Sequence, residues 1–175
     1  MKNIIIIISI FLSFSAMSAQ EKVKSIFDIA RSGTVDEVKE LMKQEPDIIN
    51  KTNENGFSTL ILACYRGNTP VAEFLITHVK NINYASGEGT ALTASVFKGD
   101  KNLTQKLLEN KADPNIADTN GITPLIYAVQ SQNKEIVELL LKNKANKTLS
   151  DKQGKTIFEY ALFSKNQDII NLLKN

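Results

Sequence analysis

The chain repeats one sequence pattern with a period of about 33 residues. Each copy begins with a hydroxyl residue: Thr90, Thr123 and Thr156 follow one another at intervals of 33 residues, and Ser58 precedes Thr90 by 32. A unit of this length is too small to bury its own apolar face, so such units become stable only by stacking on their neighbours. The period therefore predicts a solenoid, which offers a surface for holding a partner rather than a pocket for chemistry.

Each unit predicts two helices followed by a loop. The hydroxyl residues suit the start of the first helix, because their oxygens accept a hydrogen bond from an early helical N–H, and Pro124 suits its first position. The second helix carries an i, i+4 pair of apolar residues in each unit, the pattern of a buried helical stripe. These pairs are Val71 and Leu75, Leu103 and Leu107, Ile136 and Leu140, and Ile169 and Leu173.

Several motifs in this pattern resemble the ankyrin repeat. Residues 123–125 (TPL) match the start of the family's first helix, and residues 111–115 (KADPN) match the end of its second helix with Lys in place of Gly. Residues 118–121 (DTNG) and 151–154 (DKQG) match the turn that opens a repeat. The resemblance covers roughly residues 22–175. It implies an all-α ankyrin-repeat solenoid of helix-turn-helix units joined by β-hairpin-like turns.

The resemblance implies one domain of stacked units after a short leader. We expect an ankyrin-repeat domain over residues 20–175, with unit bounds at 22–52, 53–84, 85–117, 118–150 and 151–175. The first and last units are expected to act as caps, because the terminal repeats of a solenoid need one polar outer face. Glu37 in the first unit and Lys174 in the last stand where middle units have apolar residues.

Two departures from the family pattern predict units that are weak individually. The family's His after Thr-Pro-Leu is missing from every unit, so any hydrogen bond made through it is absent. The residues there are Ile61, Thr93, Ile126 and Glu159. The family's Gly between the two helices is kept in three units and replaced in two. The kept glycines are Gly33, Gly67 and Gly99, and the replacements are Gln132 and Lys165.

Residues 1–19 have the layout of a secretory signal peptide, with a basic residue, an apolar run and then mostly small residues. The apolar run has about eleven residues, well short of the ~20 that span a bilayer. We expect cleavage after Ala19; cleavage after Ser18 and an uncleaved anchor are the alternatives. The mature protein is then expected to be exported, periplasmic or secreted, with no contact to the membrane.

Few residues of this chain suit catalysis or metal binding. Cys64 is the only Cys and His78 the only His, so no intrachain disulfide can form and a His-based metal site lacks a second His. Cys64 falls at an inward position of a first helix, which predicts a buried, inert thiol. A Ser/His/Asp site would need His78 in an enclosed pocket, which a solenoid does not offer. We therefore expect no catalytic residue, no metal and no cofactor.

The resemblance also implies where a partner would bind, because ankyrin proteins usually meet their partners with the turn tips and the concave face of the first helices. The predicted partner-binding residues are Phe57, Tyr65, Arg66, Tyr84, Phe97, Lys98, Ile122, Gln130 and Phe163. Aromatic and Arg side chains are common interface anchors, because they bury much area with few torsions to restrict. The alternative is that these aromatic rings complete the core between units.

The expected function is an exported, non-catalytic and monomeric module that binds a protein partner. The formal net charge is +2 and no block of basic residues stands out, so a nucleic-acid partner is not expected. One alternative is an immunity or inhibitor protein that blocks a secreted toxin or hydrolase. An alternative of another class is an enzyme or small-molecule binder that uses a groove between repeats.

Overall fold

The computed structural model describes residues 24–174, so the predicted signal peptide at residues 1–19 lies outside the described part. Over residues 24–174 the chain is built from helices and turns, without β-strands. In chain order the helices are α1 (Ile26–Ser32), α2 (Val35–Gln44), α3 (Thr59–Arg66), α4 (Thr69–Ile76), α5 (Ala91–Phe97), α6 (Lys101–Glu109), α7 (Pro124–Gln130), α8 (Lys134–Lys142), α9 (Ile157–Ser164) and α10 (Gln167–Lys174), with a 3₁₀-helix at Ile48–Asn50. None of these helices is long and apolar enough to cross a membrane.

The helices form two layers. The odd-numbered helices contact one another in chain order from α1 to α9, and the even-numbered helices do the same from α2 to α10. Each odd-numbered helix also packs against the even-numbered helix that follows it. The chain therefore stacks antiparallel helix pairs in one direction, and the predicted all-α solenoid is confirmed.

The predicted helix starts are the observed ones. A hydroxyl oxygen at each start accepts the backbone N–H three residues later, at 3.2 to 3.3 Å, which satisfies one of the N–H groups that a helix leaves unpaired. The four capping residues are Ser58, Thr90, Thr123 and Thr156. In two units the residue at the family's His position completes a capping box, because the side chains of Thr93 and Glu159 accept the N–H of the capping residue.

The apolar pairs of the second helices lie in the core as predicted. Seven of these eight side chains are fully buried and Leu173, on the last described helix, is 6% exposed. Cys64 is also fully buried, and this burial raises the pKa of its thiol. Because the thiolate is the reactive form, Cys64 is an inert core residue, as the sequence predicts.

Between the two helices of each of the last four units the backbone is left-handed, even where the family's Gly is missing. Gly67 and Gly99 have φ values of +71° and +69°, and Gln132 and Lys165 adopt φ of +55° at the equivalent positions. A residue with a side chain is disfavoured in this region by roughly 1–2 kcal/mol. The two replacements therefore strain the backbone of the last two units.

Turns open four of the units, and three of these turns share one geometry. In each of the three, the side-chain oxygen of Asn53, Asp118 or Asp151 accepts the backbone N–H groups two and four residues later. The turn at residues 85–89 is shorter and closes through hydrogen bonds between Ser86 and Gly89. Neighbouring turns are also joined, since the carbonyl of Gly87 accepts the N–H of Thr119.

Candidate protein-binding surface

Aromatic side chains from three consecutive first helices meet on one side of the stack. The rings of Tyr65 and Phe97 are stacked, with centroids 5.9 Å apart and planes 14° from parallel. Phe97 also contacts Tyr127 edge-on, at 6.1 Å between centroids. Tyr65 and Phe97 are 49% and 57% exposed, so these two rings lie on the surface and do not complete the core. We call this side of the first-helix layer the inner face.

A groove of about 430 Å³ runs along the inner face. Its floor is formed by α3 and α5, and its wall by the turns that precede them. Four of the predicted binding residues line it: Phe57, Tyr65, Arg66 and Phe97. The structure adds Arg31, Asn53, Asn55, Glu88 and Tyr127, among others. The floor is mostly apolar but includes Arg66 and Thr93, and the wall is mostly polar but includes Phe57.

Two exposed cations stand beside the aromatic pair. Arg66 and Lys98 follow Tyr65 and Phe97 in the chain, at the ends of α3 and α5. Neither side chain forms an ion pair within residues 24–174. Arg31, at the same edge of the groove, is paired with Asp28 at 3.3 Å. Arg66 and Lys98 are therefore the cations here that remain open to a carboxylate from outside.

Comparison with known proteins agrees with the repeat architecture. The family model for ankyrin repeats (3 copies) matches residues 26–118 and 92–175. The chain belongs to the ankyrin repeat family. Because ankyrin repeats are protein-interaction units, this chain is a protein–protein interaction module.

The curated relatives of this ankyrin protein are much longer chains. Ankyrin repeat and SAM domain-containing protein 6 of Rattus norvegicus is 31% identical over 100 residues, which are 56% of this chain and 11% of the relative. An ankyrin repeat protein of Fowlpox virus (strain NVSL) is 33% identical over 107 residues, which are 60% of this chain and 24% of the relative. The likeness to these proteins thus extends over their ankyrin repeats and a minor share of their length.

The other predicted binding residues of this ankyrin protein lie outside the groove. Gln130 is exposed at the end of α7 and Phe163 is 76% exposed on α9, where the Lys155 amine lies 4.3 Å from its ring centroid. Tyr84 and Ile122 are half-buried and pack against the core, and the Tyr84 hydroxyl donates to the carbonyl of Gly56. The structure thus brings Phe57, Tyr65, Arg66 and Phe97 together in the groove, and leaves the other predicted residues outside its lining.

Two tyrosines form hydrogen bonds to the turns that precede their helices, and neither contact was predicted from the sequence. The Tyr127 hydroxyl donates to the Asp118 carboxylate at 3.0 Å, and Tyr160 donates to Asp151 in the equivalent position. Burial and the hydrogen bond to Asp118 raise the pKa of Tyr127 to about 12. In both units the Tyr follows the turn Asp by nine residues, a recurring spacing that could have predicted the contact.

The single His lies on the other helix layer. His78 follows α4, is exposed, and stacks on Phe74 with ring centroids 4.0 Å apart. Its Nδ1 lies 2.7 Å from the carbonyl oxygen of Phe74. Among residues 24–174, no cluster of three or more His, Cys, Asp or Glu residues is arranged to hold a metal ion.

Proposed function

We propose that this ankyrin stack is an exported, non-catalytic module that binds a protein partner through its inner face and turn tips. The exposed, stacked pair of Tyr65 and Phe97 on the groove floor is the observation that carries this proposal. Apolar surface exposed to water is unfavourable by roughly 25 cal/mol per Å², and contiguous exposed apolar surface marks interaction sites. The stacking of the two rings leaves about half of each side chain open to a partner.

The chemistry of the groove supports binding rather than catalysis. Its lining includes four aromatic rings and two arginines, which are residue types enriched at the core of protein interfaces. Neither the single Cys nor the single His lines the groove. Cys64 is buried beneath it and His78 lies on the opposite helix layer.

Capture with the purified protein, followed by calorimetry on the captured partner, tests the binding proposal. Phe97→Ala removes the ring that contacts both Tyr65 and Tyr127. We expect it to weaken binding by about 2 kcal/mol, which is roughly thirty-fold, as a central aromatic anchor does. His78→Ala is the matched control, because it removes an exposed ring from the other layer. A folded Phe97→Ala variant that binds as well as the parent would contradict the proposal.

Export is part of the proposal and rests on the sequence pattern at residues 1–19. N-terminal sequencing of the native protein tests it, and the expected first residue is Gln20 or Ala19. Recovery of a chain that begins with Met1 in the membrane fraction would show that the segment is an anchor.

The identity of the captured partner tests a narrower role. If the partner is an enzyme and the rim of its active site binds to the inner face, the module inhibits that enzyme. A secreted toxin or hydrolase that loses activity when the protein binds would establish an inhibitor or immunity role. A partner without enzymatic activity would favour a scaffold.

A further inference from the structure

We propose that the groove takes a linear acidic segment of the partner. A bulky apolar side chain of that segment lies on the Tyr65–Phe97 pair, and carboxylates beside it pair with Arg66 and Lys98. This inference rests on the proposed function, because it specifies the partner chemistry for the same surface.

The charges of the inner face favour an acidic occupant. Arg66 and Lys98 are exposed beside the aromatic pair and have no ion-pair partner within residues 24–174. Three carboxylates of this region are engaged in the fold, since Asp28 pairs with Arg31 and the carboxylates of Asp118 and Asp151 accept tyrosine hydroxyls. Glu88 is the carboxylate in the groove lining, and it has no ion pair within residues 24–174. Arg66 and Lys98 outnumber this one carboxylate, so the side of the groove beside them attracts carboxylates.

The polar wall of the groove determines on which side the acidic side chains of the segment lie. Glu88 and Asn55 lie on the turns that form this wall, and their side chains make no hydrogen bond within residues 24–174. An extended backbone alongside them can donate its N–H groups to the Glu88 carboxylate and the Asn55 amide oxygen. Because Glu88 repels other carboxylates, the acidic side chains of the segment lie on the opposite side, toward Arg66 and Lys98.

The size of the groove favours a linear segment over a folded acidic surface. The groove encloses about 430 Å³, near the small end of the roughly 300–1,000 Å³ range of protein ligand clefts. Ligand clefts of a few hundred Å³ hold a small number of side chains. One apolar residue and its immediate neighbours fill this volume.

Fluorescence anisotropy with labelled peptides and the full chain tests the inference. The probe is Gly-Glu-Glu-Leu-Phe-Glu-Glu-Gly. One control peptide replaces each Glu by Lys, and another replaces Leu-Phe by Ser-Ser. We expect the probe to bind at least about tenfold more tightly than either control, with an affinity that falls as salt screens the charges.

Charge reversal tests whether Arg66 and Lys98, rather than the net charge of the protein, cause the preference for the acidic peptide. The double variant Arg66→Glu/Lys98→Glu is expected to reverse the preference, so that the Lys-flanked peptide binds at least about tenfold more tightly than the probe. The matched control is Lys142→Glu/Lys144→Glu. It makes the same change in net charge at two exposed lysines of the α8 end and the following loop, and it is expected to keep the parent's preference.

The possible results separate this inference from the proposed function. If the probe binds no better than its controls while a captured protein partner still depends on Phe97, the inference is wrong and the proposed function stands; a folded acidic surface is then the partner. If the partner also ignores Phe97→Ala, both are wrong. Retention of the acidic preference by the folded Arg66→Glu/Lys98→Glu variant would overturn the assignment of the two cations. Circular dichroism of each variant shows whether it is folded.

Discussion

The Tyr160 hydroxyl donates a 2.6 Å hydrogen bond to the Asp151 carboxylate and so joins the last turn to helix α9. The other oxygen of Asp151 accepts the backbone N–H groups of Gln153 and Lys155, at 2.9 Å each. One carboxylate therefore organises the turn and anchors it to the helix that follows. Tyr127 and Asp118 make the same connection one unit earlier.

This contact predicts a loss of stability in acid. The hydrogen bond from Tyr160, followed by those of the backbone, holds the pKa of Asp151 below its usual value. A group with a lowered folded pKa stabilises the fold above its unfolded pKa, and this contribution is lost as pH falls through roughly 4 and below. We expect Tyr160→Phe to reduce the dependence of the urea midpoint on pH between about 5 and 3. Urea titrations of the parent and the variant at several pH values measure this.

The matched comparison for Tyr160→Phe is Tyr84→Phe. The Tyr84 hydroxyl donates to a backbone carbonyl, that of Gly56, and to no carboxylate. Its removal is expected to lower stability by a similar amount at every pH. Parallel pH profiles for the parent and Tyr160→Phe would show that this hydrogen bond does not control the Asp151 titration.

The contribution of a core leucine to the free energy of unfolding should depend on its position in the stack. Leu107 and Leu140 are fully buried on α6 and α8, and each of these helices contacts an even-numbered helix on both sides. Replacement of either by Ala is expected to cost roughly 2–5 kcal/mol through lost burial and an unfilled cavity. Leu173→Ala should cost less, because α10 packs mainly against two helices, α8 and α9, whereas α6 and α8 each pack mainly against three. Denaturant titrations measure the three values, and equal losses would contradict the order of the stack.

Restoring the family's glycine should stabilise the fourth unit. Gln132 has φ of +55°, a conformation that Gly adopts without steric cost. We expect Gln132→Gly to raise the free energy of unfolding by roughly 1 kcal/mol. Gln130→Gly is the control, because it makes the same chemical change in the right-handed last turn of α7 and should lower stability by roughly 0.5–1 kcal/mol. A loss of stability in both variants would mean that Gln132 is not strained.

Local features of the sequence were predictable, and contacts between units were not. The helix starts at Ser58 and Thr90 follow from capping, which depends only on the next three residues. The shared position of Tyr65 and Phe97 follows from the repeat register, whereas their exposure was left open by the sequence and is given by the structure. Tyr127 was missed because it lies at a different position of its helix and reaches Phe97 only across the boundary between two units.

The wall of the groove was missed for a related reason. Asn55 and Glu88 are turn residues whose position beside α3 and α5 depends on how the turns fold over the inner face. The turn at residues 85–89 departs from the other three, so the repeat pattern gives no register for Glu88. Conversely, Tyr84 and Ile122 share the aromatic or apolar character of the groove residues, yet they pack against the core. Composition alone does not distinguish the two environments.

The aromatic rings and the cations of the inner face are expected to affect different steps of binding. Tyr65→Ala should weaken binding of the captured partner less than Phe97→Ala, because Tyr65 contacts one ring of the array and Phe97 contacts two. Lys98→Ala should mainly slow association and flatten its salt dependence, since an exposed charge at the rim acts on the encounter. Surface plasmon resonance at low and high salt separates the association and dissociation rates. A Lys98→Ala variant with a parent-like association rate and faster dissociation would instead place Lys98 in direct, desolvated contact with the partner.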